Sequence, residues 1–249
     1  MRHLLITIVA IVFVSCNGEN VPDCFQNAGS VIEKEFVVDD FTKIATFPRI
    51  ELIITDAPTQ KVTVQTGEYL MSDIDVRVDD GVLKLFNNNA CNISRDYGIT
   101  KVFVSAPNLT EIRNGSGLSV RSQGVLSYES LKLISEDFNS EDEVNTDGNF
   151  YLDVDCNAID IVVNNLSTIF INGQVDSLYI GYFSGDARFE GRDLIAQNVN
   201  IFQRSSNDMI INAQQSLTGE IRSTGDVIVV NTPVVVAVEE FYTGTLIFE

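Results

Sequence analysis

The sequence predicts an all-β chain built from stacked repeat units. Three observations predict it. Apolar and polar residues alternate with period two, as in Lys61-Val62-Thr63-Val64-Gln65 and Ile74-Asp75-Val76-Arg77-Val78, the spacing that puts every second side chain on one face of a strand. No stretch of 11 or more residues carries a helical stripe. From about residue 100, short apolar runs recur at a loose interval, each followed by a small polar corner and a second apolar run.

The first element is an export signal over residues 1–15. Met1, Arg2 and His3 form a positive head, and Leu4 to Val14 is apolar apart from Thr7. A run this short suits the central region of a signal peptide and not a finished membrane span. Phe13-Val14-Ser15-Cys16 then places a small residue directly before a cysteine, which resembles a bacterial lipobox, although Phe and Val stand where Leu and Ala or Ser are commoner. The expectation is cleavage before Cys16 and acylation of that residue. More than one acyl chain makes such an anchor stable. Asn17 is not the Asp of the common inner-membrane retention signal, which favours an outer-membrane lipoprotein. An ordinary secretory signal ending near a cysteine is the alternative.

Residues 16–30 read as the lipidated Cys and a polar tether, and residues 31–249 as one β domain. The length suits a single β solenoid or barrel as well as two average domains. Three cysteines follow Cys16. Cys24 and Cys91 lie in polar, turn-rich settings, whereas Cys156 is in phase with Leu152 and Val154 on a strand. In an oxidising compartment that leaves Cys24 and Cys91 as the natural disulfide pair, with Cys156 buried and free.

Asp79-Asp80-Gly81 between two alternating runs is a hairpin signal, and it marks an N-terminal hairpin region. The repeat units then begin at Leu109, Leu131, Leu152, Leu178, Val199 and Leu217, with starts 22, 21, 26, 21 and 18 residues apart. One such unit cannot bury its own apolar face. Stacking copies into a coil gives a continuous core, and Ser, Gly, Asn and Asp corners let the backbone turn. The spacing puts those six residues on one interior column, with successive units pairing in parallel. A β-sandwich with evenly spaced strands stays open beside the solenoid.

The units resemble the head GIN domain of the auto-transporter adhesin family common in Bacteroidetes. The likeness rests on Phe41-Thr42-Lys43-Ile44, on the strand Lys61-Val62-Thr63-Val64 and on the hairpin Asp80 to Leu85. It continues through Pro107 to Gly117 and the corners Ser184-Gly185-Asp186 and Thr224-Gly225-Asp226. It covers about residues 31–249, and departs from the pattern where Phe138 to Glu141 and Ser205-Ser206-Asn207 lack a glycine corner. The resemblance implies a right-handed parallel β-helix-like fold and a cell-surface position. It implies no chemistry.

Composition narrows function by exclusion. The formal net charge is −19, with 16 Lys and Arg against 35 Asp and Glu, so the basic footprint of a nucleic-acid binder is missing. The single His is His3 in the signal. Ser and Cys nucleophiles therefore lack their usual base, and a zinc set is poor. Paired acids are frequent, among them Asp39-Asp40, Glu141-Asp142-Glu143 and Asp153 with Asp155. A glycosidase could use two acids, but Trp is absent and basic residues are sparse, so these acids read as solvated turns. Glu136 to Glu143 is the best calcium candidate, although no EF-hand or Gly-Gly-x-Gly-x-Asp repeat occurs. Gly115-Ser116-Gly117 precedes no helix and reads as a corner, not a phosphate cradle. Asp176-Ser177-Leu178 fits the short pattern of Bacteroidetes O-glycosylation. The expectation is a non-catalytic binding or adhesion module with no cofactor and no metal. It is held to the membrane by its lipid and meets an unknown surface ligand, glycan or protein. A carbohydrate-active enzyme and a structural envelope protein are the alternatives.

Overall fold

The computed structural model describes Cys24, residues 26–89, Cys91, and residues 98–138 and 143–249. The signal segment, Cys16 and part of the Glu136 to Glu143 stretch lie outside the described residues. In chain order the first strands are β1 (Val31–Phe36), β2 (Lys43–Thr46), β3 (Glu51–Asp56), β4 (Lys61–Gly67), β5 (Ile74–Asp79) and β6 (Val82–Asn87). Then come β7 (Lys101–Ala106), β8 (Glu111–Asn114), β9 (Val120–Leu126), β10 (Ser130–Ser135), β11 (Phe150–Val163), β12 (Thr168–Tyr182) and β13 (Arg188–Glu190). The last are β14 (Leu194–Gln203), β15 (Met209–Ile211), β16 (Ala213–Ile221), β17 (Val227–Val229), β18 (Val235–Glu240) and β19 (Leu246–Phe248). The described residues are thus nearly all β, as the alternation requires.

The strands form two ladders. The first runs β1, β4, β7, β3, β9, the front of β11, the front of β12, β13, β15, β17 and β19. The second runs β5, β6, β2, β8, β10, the rear of β11, the rear of β12, β14, β16 and β18. Because β11 and β12 serve both, all the strands belong to one hydrogen-bonded sheet. Pairing is parallel except in β1 with β4, β4 with β7, and β5 with β6. The β5–β6 hairpin turns at Asp80 and Gly81, with φ of 51° and 75°, the two left-handed positions that a tight hairpin needs.

Inward side chains line up in columns because parallel pairing in register repeats the same phase from strand to strand. One column is Leu131, Ile159, Leu178, Val199 and Leu217. A second is Leu133, Ile161, Ile180 and Ile201. In the first ladder Phe150, Ile169, Phe189, Met209 and Val227 stack likewise. All of these residues are buried in one core.

The column expected from the repeat spacing needs correcting at two places. Leu152 stands in the first ladder opposite Ile171, and Ile159 takes the place expected for it. Leu109 is buried but precedes β8. The reason lies in β11. It is one 14-residue strand serving both ladders, so its first apolar stretch belongs to one ladder and its second to the other.

The corners explain their own composition. Ser205 Oγ donates to Ala187 O at 2.7 Å, and the Ser205 amide donates to Gln203 Oε1 at 3.1 Å. Ser135 and Ser167 hydroxyls meet at 2.6 Å in the core. Small hydroxyl and amide side chains satisfy backbone groups that turn inward, where an unpaired group would be costly. Cys24 and Cys91 form a disulfide, and Cys156 is free and buried.

Candidate contact surface

The alternation that builds the core also builds two outer faces, since the residues between the inward ones must point out. On the second ladder one outward row reads Lys132, Asp160, Tyr179, Asn200, Thr218. Its polar members bond along the row: Asn200 Nδ2 donates to Thr218 Oγ1 at 2.8 Å, and in the adjacent row Ser216 Oγ donates to Asn198 Oδ1 at 2.9 Å. Phe183 and Phe202 lie with ring centroids 5.2 Å apart. The rings of Tyr179 and Phe183 fold over Gly181, where an added Cβ would lie within 3 Å of both. Burial raises the Tyr179 phenol above its ordinary pKa, and the neighbouring Asp160 charge adds to this.

The first ladder carries a groove. In β9, Val120 and Arg121 pair with Phe150 and Tyr151, but the next partners are Val125 with Asp153 and Leu126 with Val154. Ser122, Gln123 and Gly124 therefore stand opposite Leu152 alone, a bulge made possible by Gly124 at φ 87°. Beside it lies a cavity of about 200 Å³ lined by Arg121, Ser122, Tyr151, Asp153, Phe170 and Asn172. Tyr151 and Phe170, partners in register, stack with centroids 4.8 Å apart and planes 4° apart. The Arg121 guanidinium sits 4.1 Å from the Tyr151 ring centroid, a cation–π contact. Its Nε donates to Glu51 Oε1 at 3.2 Å, and Lys101 holds the other Glu51 oxygen at 3.0 Å. Asn172 Nδ2 donates to Asp153 Oδ1 at 3.0 Å, and the Asp153 amide donates to Ser122 Oγ at 2.9 Å.

The acids expected in turns are placed differently here. Asp153 and Asp155 are outward on β11, and each accepts a bond from the amide opposite, Asn172 and Gln174, the latter at 2.9 Å. Glu136, in the calcium candidate, is taken by Arg113 at 2.8 Å and by the Phe138 amide at 2.7 Å. Asp79 and Glu249 are held below the usual carboxylate range, first of all by hydrogen bonds from Arg77 and Arg192. That is the opposite direction from a general acid poised near neutrality. Among the described residues no three His, Cys, Asp or Glu side chains gather as a metal set. No described helix is long and apolar enough to cross a membrane. Reading the sequence residue by residue missed the groove, because the bulge that opens it is a mismatch between strands far apart in the chain.

This architecture, an all-β sheet with polar and aromatic outer rows, has known relatives. Residues 40–233 match the family described as "Putative auto-transporter adhesin, head GIN domain", and the chain belongs to this family. No curated protein matches the sequence. Solved structures share the fold. A "putative adhesin" from Bacteroides fragilis NCTC 9343 superposes with a TM-score of 0.77 at 18% identity, covering 88% of this chain and 97% of that one. A "putative lipid binding protein" from Parabacteroides distasonis ATCC 8503 gives 0.62 at 16% identity, covering 89% and 97%. A "putative adhesin" from Parabacteroides merdae ATCC 43184 gives 0.61 at 15% identity, covering 94% and 98%. At these identities the likeness is one of fold.

Proposed function

We propose that this chain is a non-catalytic adhesion module of the bacterial cell surface, exported by residues 1–15 and held in the outer membrane through acylated Cys16. Residues 16–30 act as the link to the membrane. Residues 31–249 act as one unit, wound as a right-handed parallel coil with the two ladders as successive faces. The observation that carries the reading is the pair of long outer faces, on which aromatic and polar side chains are fixed by stacking and row-to-row hydrogen bonds. Such side chains are held in place before any partner arrives, which lowers the ordering cost of contact. Membership of the adhesin head family points the same way. The partner is a surface ligand, glycan or protein, and not nucleic acid, given the net charge of −19.

The test is fractionation of cells producing Cys16→Ser beside the native chain. The expected result is that the native chain stays with the outer membrane, partitions into detergent and mediates cell attachment. The variant is released or held back unprocessed, and attachment is lost. Unchanged membrane partition of Cys16→Ser would refute the anchor. Attachment unchanged in cells lacking the chain altogether would refute the adhesion role.

A further inference from the structure

We propose that the groove beside the β9 bulge is a sugar-binding subsite that takes one neutral pyranose unit of a glycan; this rests on the adhesion reading and specifies its ligand. The bulge is the starting point. Stacked outward side chains are what any regular parallel ladder produces, and they need no ligand to explain them. The interruption of β9 is different, because it breaks regular pairing opposite Leu152 directly beside the cavity, which Ser122 at its start and Leu152 itself help to line. Bulges commonly sit where a side chain must be re-aimed at a site.

The groups around that opening fit a polyhydroxylated ring. The Arg121 Nε is used by Glu51, while no described group accepts from its Nη nitrogens. Asp153 uses Oδ1 toward Asn172, and its Oδ2 has no described donor. Ser122 accepts a bond at Oγ and keeps its hydroxyl proton to give. The groove therefore offers free donors on one side and a free carboxylate oxygen on the other. Adjacent sugar hydroxyls, each able to donate and accept, can bridge such a pair. The Tyr151 and Phe170 rings add an apolar wall against which C–H groups of a pyranose can pack.

Charge selects the class. The lining holds one anion, Asp153, and one cation, Arg121, whose Glu51 partner is shared with Lys101. Asp153 repels an acidic sugar, and Arg121 repels an amino sugar in its ammonium form. A neutral unit meets neither objection. The cavity of about 200 Å³ is smaller than the roughly 300–1,000 Å³ of pockets for drug-sized ligands, so it suits one ring and not a long enclosed chain. The polar groups are also pre-positioned. Arg121 is stacked, and Asp153 is fixed by Asn172 and Ser122, which is what a site on rigid strands requires.

The test is to probe the purified full chain in detergent against an array of neutral, uronic-acid and amino-sugar glycans. Asp153→Ala and Arg121→Gln serve as groove variants, with Asp39→Ala in the exposed loop between β1 and β2 as control and circular dichroism as the check on folding. The expected result is retention on neutral glycans, at least tenfold weaker binding in either groove variant, native binding in Asp39→Ala, and little change on adding NaCl. Absence of any neutral-glycan binding, or native binding by folded Asp153→Ala and Arg121→Gln, would overturn the subsite. Binding confined to acidic or amino glycans would overturn it as well. If cell attachment by the native chain persists in those cases, the adhesion reading stands and only the sugar subsite falls.

Discussion

Gly173 lies where two strands of the first ladder approach closely at a bend. Its φ is +111°, and an added Cβ would lie 2.0 Å from the carbonyl oxygen of Val154. Backbone conformation and space both demand glycine there. Gly173→Ala should lower stability by about 2–4 kcal/mol, combining left-handed strain with overpacking, as read from denaturant melts. A melt within error of the native chain would show that the bend can relax. Gly173 was not legible as special in the sequence, since nothing in Asn172-Gly173-Gln174 distinguishes a close approach from a turn. Cys156 was legible, because period-two phase with Leu152 and Val154 is enough to place a side chain inward. The thiol is 5% exposed, and burial raises its pKa, so little of it is thiolate near neutral pH.

At the scale of elements, the segment before β1 is docked on the fold. Gln26 is 2% exposed; its Nε2 donates to Tyr69 O at 2.8 Å, and its Oε1 accepts from Asn89 Nδ2 at 2.8 Å. The Cys24–Cys91 disulfide closes a 67-residue separation over β1 to β6. In the chain-entropy model such a loop contributes about 4 kcal/mol. Reduction, or Cys24→Ser with Cys91→Ser, should lower the midpoint of unfolding accordingly, while Cys156 stays unlabelled by alkylating reagents until the chain unfolds. Native stability after reduction would show that the hairpin end holds without the bridge. Which cysteines pair was readable from their settings. The docking of Gln26 was not, because a buried glutamine is defined only by the carbonyl and amide that meet it across the fold.

Across the whole molecule, the tyrosines decide the response to alkali. Tyr128 donates to Ala106 O at 2.9 Å and Tyr182 donates to Arg188 O at 3.0 Å, both from buried positions. Burial raises both phenols above their ordinary pKa. In the unfolded chain each ionises near pH 10 while the folded chain keeps its proton, so the unfolded state binds fewer protons and stability falls as pH rises. The stabilisation is whole below about pH 10 and is lost above it, at about 1.4 kcal/mol per pH unit for each tyrosine. Tyr128→Phe with Tyr182→Phe should flatten that alkaline slope. A slope unchanged in the double variant would place its origin elsewhere.

The sequence by itself determined that the regular structure of the described residues is nearly all β, where the tight hairpin falls, and that Cys156 is inward. These follow from local period, turn residues and composition, which act within a few neighbouring positions. Only the tertiary structure decided which apolar residues share a column, so that Ile159 and not Leu152 stands between Leu131 and Leu178. It also decided that Arg121, Tyr151, Asp153 and Phe170 meet in one groove. The physical reason is register. Period two says which side of a strand a residue occupies, but the neighbour it touches depends on how a distant strand is aligned, and one bulge or one long bent strand changes that alignment without leaving a mark in the local pattern.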